Sequence, residues 1–258
     1  MIPTVDEART IGEICSALGE LREGGHIARV IVLDESSDDT AKIAAAAGAE
    51  VHRQRAVRPD VGPVRGKGDA MWRALHLVEE EITVFVDGDT ANFDASVVER
   101  LVAGIAGGLD FVKADYDRPW DDGRGAALPH GGGRVTELTA KPLLRALFPA
   151  LSPFGQPLAG EFAARTELLR SLPFVTGYGV DVALLIDAWR RCGTEKIGEV
   201  RVSPRQNRHR PLHELASMAD VVASTILARA GLGLAPPERA PLIGGTAETL
   251  EMPEATTA

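Results

Sequence analysis

Apolar positions in the first half of the chain switch repeatedly between a helical and an extended period. Between Glu7 and Leu21, the residues Ile11, Ile14, Cys15, Leu18 and Leu21 recur at helical spacing and share one face. Arg29-Val30-Ile31-Val32-Leu33-Asp34 then reads as a buried strand that ends in an acid. A short Ala-rich helix from Thr40 to Ala47, a strand around Ala49 to Arg53, a helix from Gly68 to Val78 and a strand ending at Asp87 continue the alternation. Strands that alternate with helices predict an α/β fold with a doubly wound, mostly parallel sheet. Ser96 to Ile105 reads as helix, Asp110 to Tyr116 as extended, and Arg134 to Leu147 as largely helical with Pro142 a kink or break. Gly179 to Cys192, with Val182, Leu185, Ile186 and Trp189 on one face, and Pro211 to Leu232 are the clearest later helices. The organisation expected is a core over 1–117, a second part over 118–232 whose helices pack on the sheet as a subdomain, and a Pro/Glu/Thr/Ala/Gly-rich tail over 233–258 without order. The start poses a difficulty. Strands run about five or six residues, and the first is normally central in a doubly wound sheet. Only Met1 and Ile2 precede Pro3, so that strand is either a stub or begins upstream.

Composition narrows the class without changing this picture. The 258 residues are 45% hydrophobic and 25% charged, enough for one large or two small cores. A net charge of -9 argues against nucleic acid or an anionic membrane as the main partner. The two cysteines, Cys15 and Cys192, both fall in apolar helical patterns and suggest neither a disulfide framework nor a zinc cluster. With no long apolar run and no signal peptide, the expected compartment is the reducing cytoplasm.

The densest chemistry lies where Ile82-Thr83-Val84-Phe85-Val86 runs into Asp87-Gly88-Asp89. The carboxylates stand at i and i+2, and Gly88 lets the chain turn sharply, so both can reach one hard cation. Oxygen ligands in small number suit Mg²⁺ or Mn²⁺ that also holds a diphosphate. An acidic turn closing a strand fits the same three residues. Pro3-Thr4-Val5-Asp6-Glu7 and Asp34 to Thr40 would open onto the same sheet edge, with Asp38 or Asp39 also fitting a helix cap. Arg65-Gly66-Lys67-Gly68 precedes a helix and suits either phosphate approach or a basic surface turn. His130-Gly131-Gly132-Gly133-Arg134-Val135-Thr136-Glu137 offers an anion cradle at a helix start, or a linker with a capping pattern. Arg205-Gln206-Asn207-Arg208-His209-Arg210 concentrates cations in an acidic chain, as oligophosphate recognition or a solvated basic loop would.

The order of these segments, together with Gln156-Pro157-Leu158 and Gly177-Tyr178-Gly179-Val180-Asp181, resembles the glucosyl-3-phosphoglycerate synthases, retaining glycosyltransferases of the GT-A fold. The resemblance runs to about Leu232, and Gly-Gly-Gly-Arg-Val-Thr-Glu-Leu with Gly-Tyr-Gly-Val is far more specific than a lone D-x-D. It implies transfer of glucose from a nucleotide sugar, with UDP-glucose favoured, to the 2-hydroxyl of 3-phosphoglycerate. It assigns 1–117 to donor binding and the second part to the acceptor. Pro3, Val5, Glu7 and Ser36 would hold the nucleoside, and Lys67 and Arg205 would face the diphosphate. Asp89 would bind the cation, Mg²⁺ or Mn²⁺, with Asp87 nearby as a donor-binding and catalytic group, while Gly133, Arg134 and Thr136 would hold the acceptor. A homodimer is also implied.

Departures from the family pattern point to a divergent member. Asp181 stands where the family has glutamate, and its shorter reach bears on how it would orient sugar hydroxyls as a catalytic group. Relative to the family, histidine and asparagine have exchanged places in the basic loop, so that His209 or Asn207 would ligate the metal, or the metal would depend mainly on Asp89 and the diphosphate, with His209 also an acceptor contact. The second-strand turn is one residue shorter than usual, and Asp6 stands where asparagine is common. The alternatives are another donor or a different small hydroxylated acceptor. A nucleotidyltransferase would show a glycine-rich loop near the N-terminus, absent here, and a non-catalytic nucleotide-sugar binder would follow if these changes abolished turnover.

Overall fold

The computed structural model describes residues 1–119, 132–205 and 212–244. Strand β1 (Ile2–Thr4) pairs in parallel with β2 (Ile31–Asp34), which pairs in parallel with β3 (Glu50–Arg53). A second ladder has the order β4 (Ile82–Phe85), β6 (Phe162–Arg165), β5 (Phe111–Asp115), β8 (Ile197–Arg201). Met1 joins the two. Its ammonium donates to the Val84 carbonyl at 2.9 Å, and its own carbonyl accepts from Val86 N at 3.1 Å, so β1 lies between β2 and β4. The first strand is therefore both short and central.

Alternation along the strands separates two cores. Val30 and Val32 face helices α1 (Ile11–Glu23), α2 (Thr40–Ala46) and α4 (Ser96–Ala106). Ile31 and Leu33 face the other side, with α3 (Lys67–Ala74), α5 (Lys141–Leu147) and α7 (Val180–Cys192). Helix α1 starts later than its pattern suggested, because Thr10 N and Ile11 N both turn back onto the Glu7 carbonyl. Helix α7 is buried from Val180 to Trp189, so it is a core helix and not the amphipathic one expected. The helix that begins at Arg134 runs on through Pro142 to Leu147 without breaking. Pro142 has no N–H to offer the Leu138 carbonyl, and a π-turn over Thr136–Ala140 falls there.

Several elements were not visible in the sequence pattern. Strand β6 runs antiparallel to both β4 and β5, inserting an opposed strand into an otherwise parallel sheet. Its Phe162 stacks between Phe85 and Phe111, with ring centroids 5.2 and 5.1 Å away. Helix α6 (Thr166–Arg170) and strand β7 (Phe174–Val175) follow it, and α8 (Leu212–Arg229) packs against α7. The expectation of a disordered tail from 233 needs correction. Glu238–Arg239 forms β9, antiparallel to β7, because long-range partners fix a segment too short to show a period. Among the described residues no helix is long and apolar enough to cross a membrane.

Candidate active site

The loops after β1, β2 and β4 meet at the carboxyl ends of the strands, the usual ligand edge of such a sheet. Asp87 leaves β4 and packs against Gly160, where a Cβ would lie 2.2 Å from both carboxylate oxygens. Thr10 Oγ1 holds the Gly88 carbonyl at 2.6 Å, which fixes the turn between the two acids. Asp89 is exposed at the mouth, yet enclosure of its carboxyl and the charge of Asp87 push its pKa up. Half-buried Glu7 is pushed up to about 7 by burial and by Asp89, Asp38, Asp87 and Asp6. This edge carries an excess of negative charge.

Lys67 supplies the opposing charge. It begins α3, and its Nζ donates to Asp87 Oδ1 at 2.8 Å and to Asp181 Oδ2 at 3.0 Å. Burial works against its charge, but the carboxylates of Asp181 and Asp87 outweigh burial and hold the ammonium protonated. Lys67 in turn keeps Asp87 below its usual range despite burial. Asp181, in the first turn of α7, is raised by burial, and its Oδ1 is buried without a hydrogen-bond partner. Behind it, Lys113 Nζ donates to the Asp181 carbonyl at 3.2 Å and lies over the Phe162 and Phe111 rings. Burial lowers the Lys113 pKa to about 8. Enclosing this many charges costs several kcal/mol per ion before pairing, so the cluster does not exist for stability.

On the β1–β2 side, Val5 is 58% exposed and Pro3 sits in the strand itself. Ser36 Oγ donates to buried Asp34 at 2.5 Å and accepts from Asp6 N at 2.7 Å. Asp34 also accepts from Thr4 Oγ1 at 3.1 Å and from Arg53 Nη1 at 3.0 Å. Asp6 adopts φ 58°, a left-handed conformation in which Asp and Asn are the favoured non-glycine residues, and its carboxylate accepts from Ser37 N at 2.8 Å. Asparagine or aspartate therefore fits this position. Asp39 takes the N-cap position of α2 without a side-chain cap bond, and Asp38, one residue earlier, accepts from Thr40 N at 2.9 Å through its Oδ1.

Arg205 is buried between the Phe93 and Tyr116 rings, and its Nε donates to Glu161 Oε1 at 3.1 Å. Its two Nη atoms are buried without partners. Tyr116 OH donates to the other Glu161 oxygen at 3.1 Å and accepts from Arg118 Nη2 at 3.0 Å. The Arg118 carbonyl accepts from Gly132 N at 2.9 Å, which ties this network to the glycine turn. Gly133, at φ +69°, leads into Arg134 and the buried Thr136. Asn207 and His209 lie outside the described residues.

Thus Lys67, Asp87 and Asp181 converge directly, Glu7 and Asp89 join them through the field, and Arg205 and Gly133 connect through Glu161, Tyr116 and Arg118. Glu161 and Lys113 were missed in the sequence. Each is a lone charge inside an apolar strand-like run, Leu158-Ala159-Gly160-Glu161-Phe162-Ala163 and Phe111-Val112-Lys113-Ala114, and that isolation was the available signal. A cavity of about 270 Å³ lined by Leu18, Val30, Val84, Val98 and Val102 opens at the other end of the strands, near Met1, and holds none of these groups.

The sequence profile of glycosyl transferase family 2 matches residues 1–150. The glucosyl-3-phosphoglycerate synthase of Mycolicibacterium paratuberculosis is 44% identical over 238 residues, covering 90% of this chain and 72% of that protein. The chain belongs to the glucosyl-3-phosphoglycerate synthase family. It is thereby a glycosyltransferase of the GT-A fold. The crystal structure of the Mycobacterium tuberculosis synthase in complex with Mn²⁺, UDP-glucose and phosphoglyceric acid matches with a TM-score of 0.84 at 39% identity, covering 93% of this chain and 88% of that one. The mannosyl-3-phosphoglycerate synthase of Rubrobacter xylanophilus matches with a TM-score of 0.80 at 40% identity, covering 88% and 71%. Identity alone therefore does not separate glucosyl from mannosyl members of this synthase fold.

The residues present fit a divalent cofactor, as the Mn²⁺ in the related crystal structure leads one to expect. Asp89 is raised by neighbouring negative charge, and Lys67 is shared between two other carboxylates. Among the described residues no group of three or more His, Cys, Asp or Glu side chains forms a metal cluster. The charge excess calls for a cation, but a full protein cage is not built among the described residues.

Proposed function

We propose that this synthase transfers glucose from UDP-glucose to the 2-hydroxyl of 3-phosphoglycerate with retention at the anomeric carbon. The observation that carries the reading is the partly buried Lys67 bridging Asp87 and Asp181 at the strand ends. Support comes from the names of the relatives and from the ligands in the Mycobacterium tuberculosis complex. Residues 1–117 form the donor side and 118–232 the acceptor side. On the donor side, Pro3, Val5, Glu7 and Ser36 hold the nucleoside, while Lys67 and Arg205 face the diphosphate. Asp89 holds the cation beside Asp87, with Asn207 or His209 as a further ligand. The cation supplies charge stabilisation for the departing diphosphate.

The protein's own residues do the rest. Asp87 and Asp181 are both engaged by Lys67, so neither is set up as a nucleophile, and no covalent sugar intermediate is needed. The acceptor hydroxyl attacks from the face the diphosphate leaves. The bond from the anomeric carbon to the diphosphate oxygen breaks, the new glycosidic bond forms, and a leaving-group oxygen takes the hydroxyl proton. Lys67 and Arg205 meet the developing charge. Asp181 accepts from sugar hydroxyls through its unpartnered Oδ1. Gly133, Arg134, Thr136 and His209 anchor the acceptor phosphate or carboxylate. We further propose a cytoplasmic homodimer.

A turnover matrix of nucleoside-diphosphate sugars against small hydroxy acids and phosphates, with Mg²⁺ or Mn²⁺, tests this reading through nucleoside diphosphate release and product mass. Glucosyl-3-phosphoglycerate as the main product is the expected result. Release of pyrophosphate would indicate a nucleotidyltransferase. Transfer from GDP-mannose, or transfer only to another acceptor, would indicate that Asp181 and the exchanged loop residues have changed specificity. In the same assay, Arg134→Ala is expected to raise the acceptor KM by roughly one to two orders of magnitude, the worth of a lost charge-assisted hydrogen bond, with little change in donor KM. Equal shifts in both would contradict an acceptor role.

A further inference from the structure

The segment read in the sequence as a disordered tail closes over the turn that carries Lys67. Asp69, two residues after it, is fully buried. Its Oδ1 accepts from Arg239 Nε at 2.6 Å, and its Oδ2 from Arg239 Nη2 at 3.1 Å, Arg65 N at 2.8 Å and Arg73 Nε at 3.4 Å. Arg239 Nη1 also donates to the Val61 carbonyl at 3.0 Å, so one guanidinium grips both the start of α3 and the loop before it. The neighbouring backbone is locked as well. The Pro237 carbonyl accepts from Thr176 N at 3.0 Å, the Ala240 carbonyl accepts from Trp72 Nε1 at 2.8 Å, and the Thr176 carbonyl accepts from Asp69 N at 3.2 Å.

Gly66 and Gly68 are what let these parts approach so closely. A Cβ on Gly66, which has φ +103°, would lie 3.2 Å from the Thr176 carbonyl, and one on Gly68 would lie 1.8 Å from the Val175 carbonyl. Lys67 stands between these two glycines. Its own side chain points to Asp87 and Asp181, and its backbone is set by Asp69 through Arg65 N.

We propose that residues 237–240 are a strap that positions the donor-side lysine, with Arg239 acting through Asp69 as the positioning residue. Arg239 touches no reacting atom in this scheme. Its removal leaves Asp69 with the Arg65 N–H and, as a charged partner, the more distant Arg73, which loosens the Arg65-Gly66 turn and lets Lys67 leave its two carboxylates. The inference rests on the donor-side reading of Lys67 only for its functional consequence.

The test uses the full chain and two variants, Arg239→Ala and the milder Arg239→Gln, with Arg239→Lys as the conservative rescue. Acylation of Lys67 by acetic anhydride, followed by peptide mass spectrometry and normalised to exposed Lys196, reads the lysine's placement without the reaction. UDP affinity with Mn²⁺, from calorimetry, reads the donor side. Lys67 is expected to label faster in the Ala and Gln variants and to recover in Lys, while UDP affinity falls by about tenfold, the scale of one lost charge-assisted hydrogen bond. Faster labelling with unchanged UDP affinity would support the strap and remove Lys67 from the donor site. Unchanged Lys67 labelling in a folded Arg239→Gln protein would overturn the strap.

Discussion

Replacing Asp89 by alanine is expected to remove the metal dependence of donor binding and to lower turnover by about three orders of magnitude or more, the scale of a lost electrostatic clamp on a leaving group. The expectation follows from charge. Asp89 is held above its usual range by its enclosure and by the charge of Asp87, while Lys67 is committed to Asp87 and Asp181. The carboxylate therefore gains most from a cation and loses most without one. Calorimetric titration of UDP with and without Mn²⁺ is the direct check. In the parent protein Mn²⁺ should tighten binding, and in Asp89→Ala the two isotherms should coincide. If Mn²⁺ still tightens UDP binding in the variant, the cation sits on other ligands and the Asp87-Gly88-Asp89 turn is structural.

Gly160→Ala is the second large effect, and no ligand assignment is needed to expect it. The added methyl would occupy the position of the Asp87 carboxylate, 2.2 Å from both of its oxygens. Gly160 is held by the strand that follows it, and Asp87 can move only by giving up Lys67. Phe162, two residues on, pairs with Phe85 in the sheet, and Asp87 is tied to Lys67. The cheapest relief is rotation of Asp87 away from Lys67, which breaks the bridge to Asp181. A displacement on the order of 1 Å at such a centre costs about a hundredfold in rate. Measured kcat should fall by that order while the circular dichroism spectrum of the fold is retained. A kcat within about twofold of the parent would mean that the bridge is not required for the chemistry.

Both predictions depend on contacts that differ in how far they could be read in advance. The Asp87-Gly88-Asp89 turn is a local pattern, a strand running into acids, and it stands where that pattern put it. Lys67 as a helix-start cation was readable for the same reason. Gly160 was not, since nothing in Leu158-Ala159-Gly160-Glu161 says that an aspartate more than seventy residues earlier will press against its Cα. The order of Glu238–Arg239 was not legible either, because a two-residue strand between prolines leaves no period to detect. Its order comes from Asp69, at a sequence separation of 170.

The chain's own pattern determined the alternation of strands and helices, the apolar run of β2, the acidic strand ends and the family. The elements follow from short windows in which burial imposes a period or a continuous apolar run on the side chains, and the family from the order of short motifs. The tertiary structure decided what the charges do to one another. It joined Lys67 to Asp181 across 114 residues, set Glu161 against Arg205, turned β6 against its neighbours and drew Arg239 onto Asp69, two residues after Lys67. Such pairings depend on where the backbone brings remote segments together, and low-dielectric enclosure then fixes each group's charge, so no local window of sequence contains them.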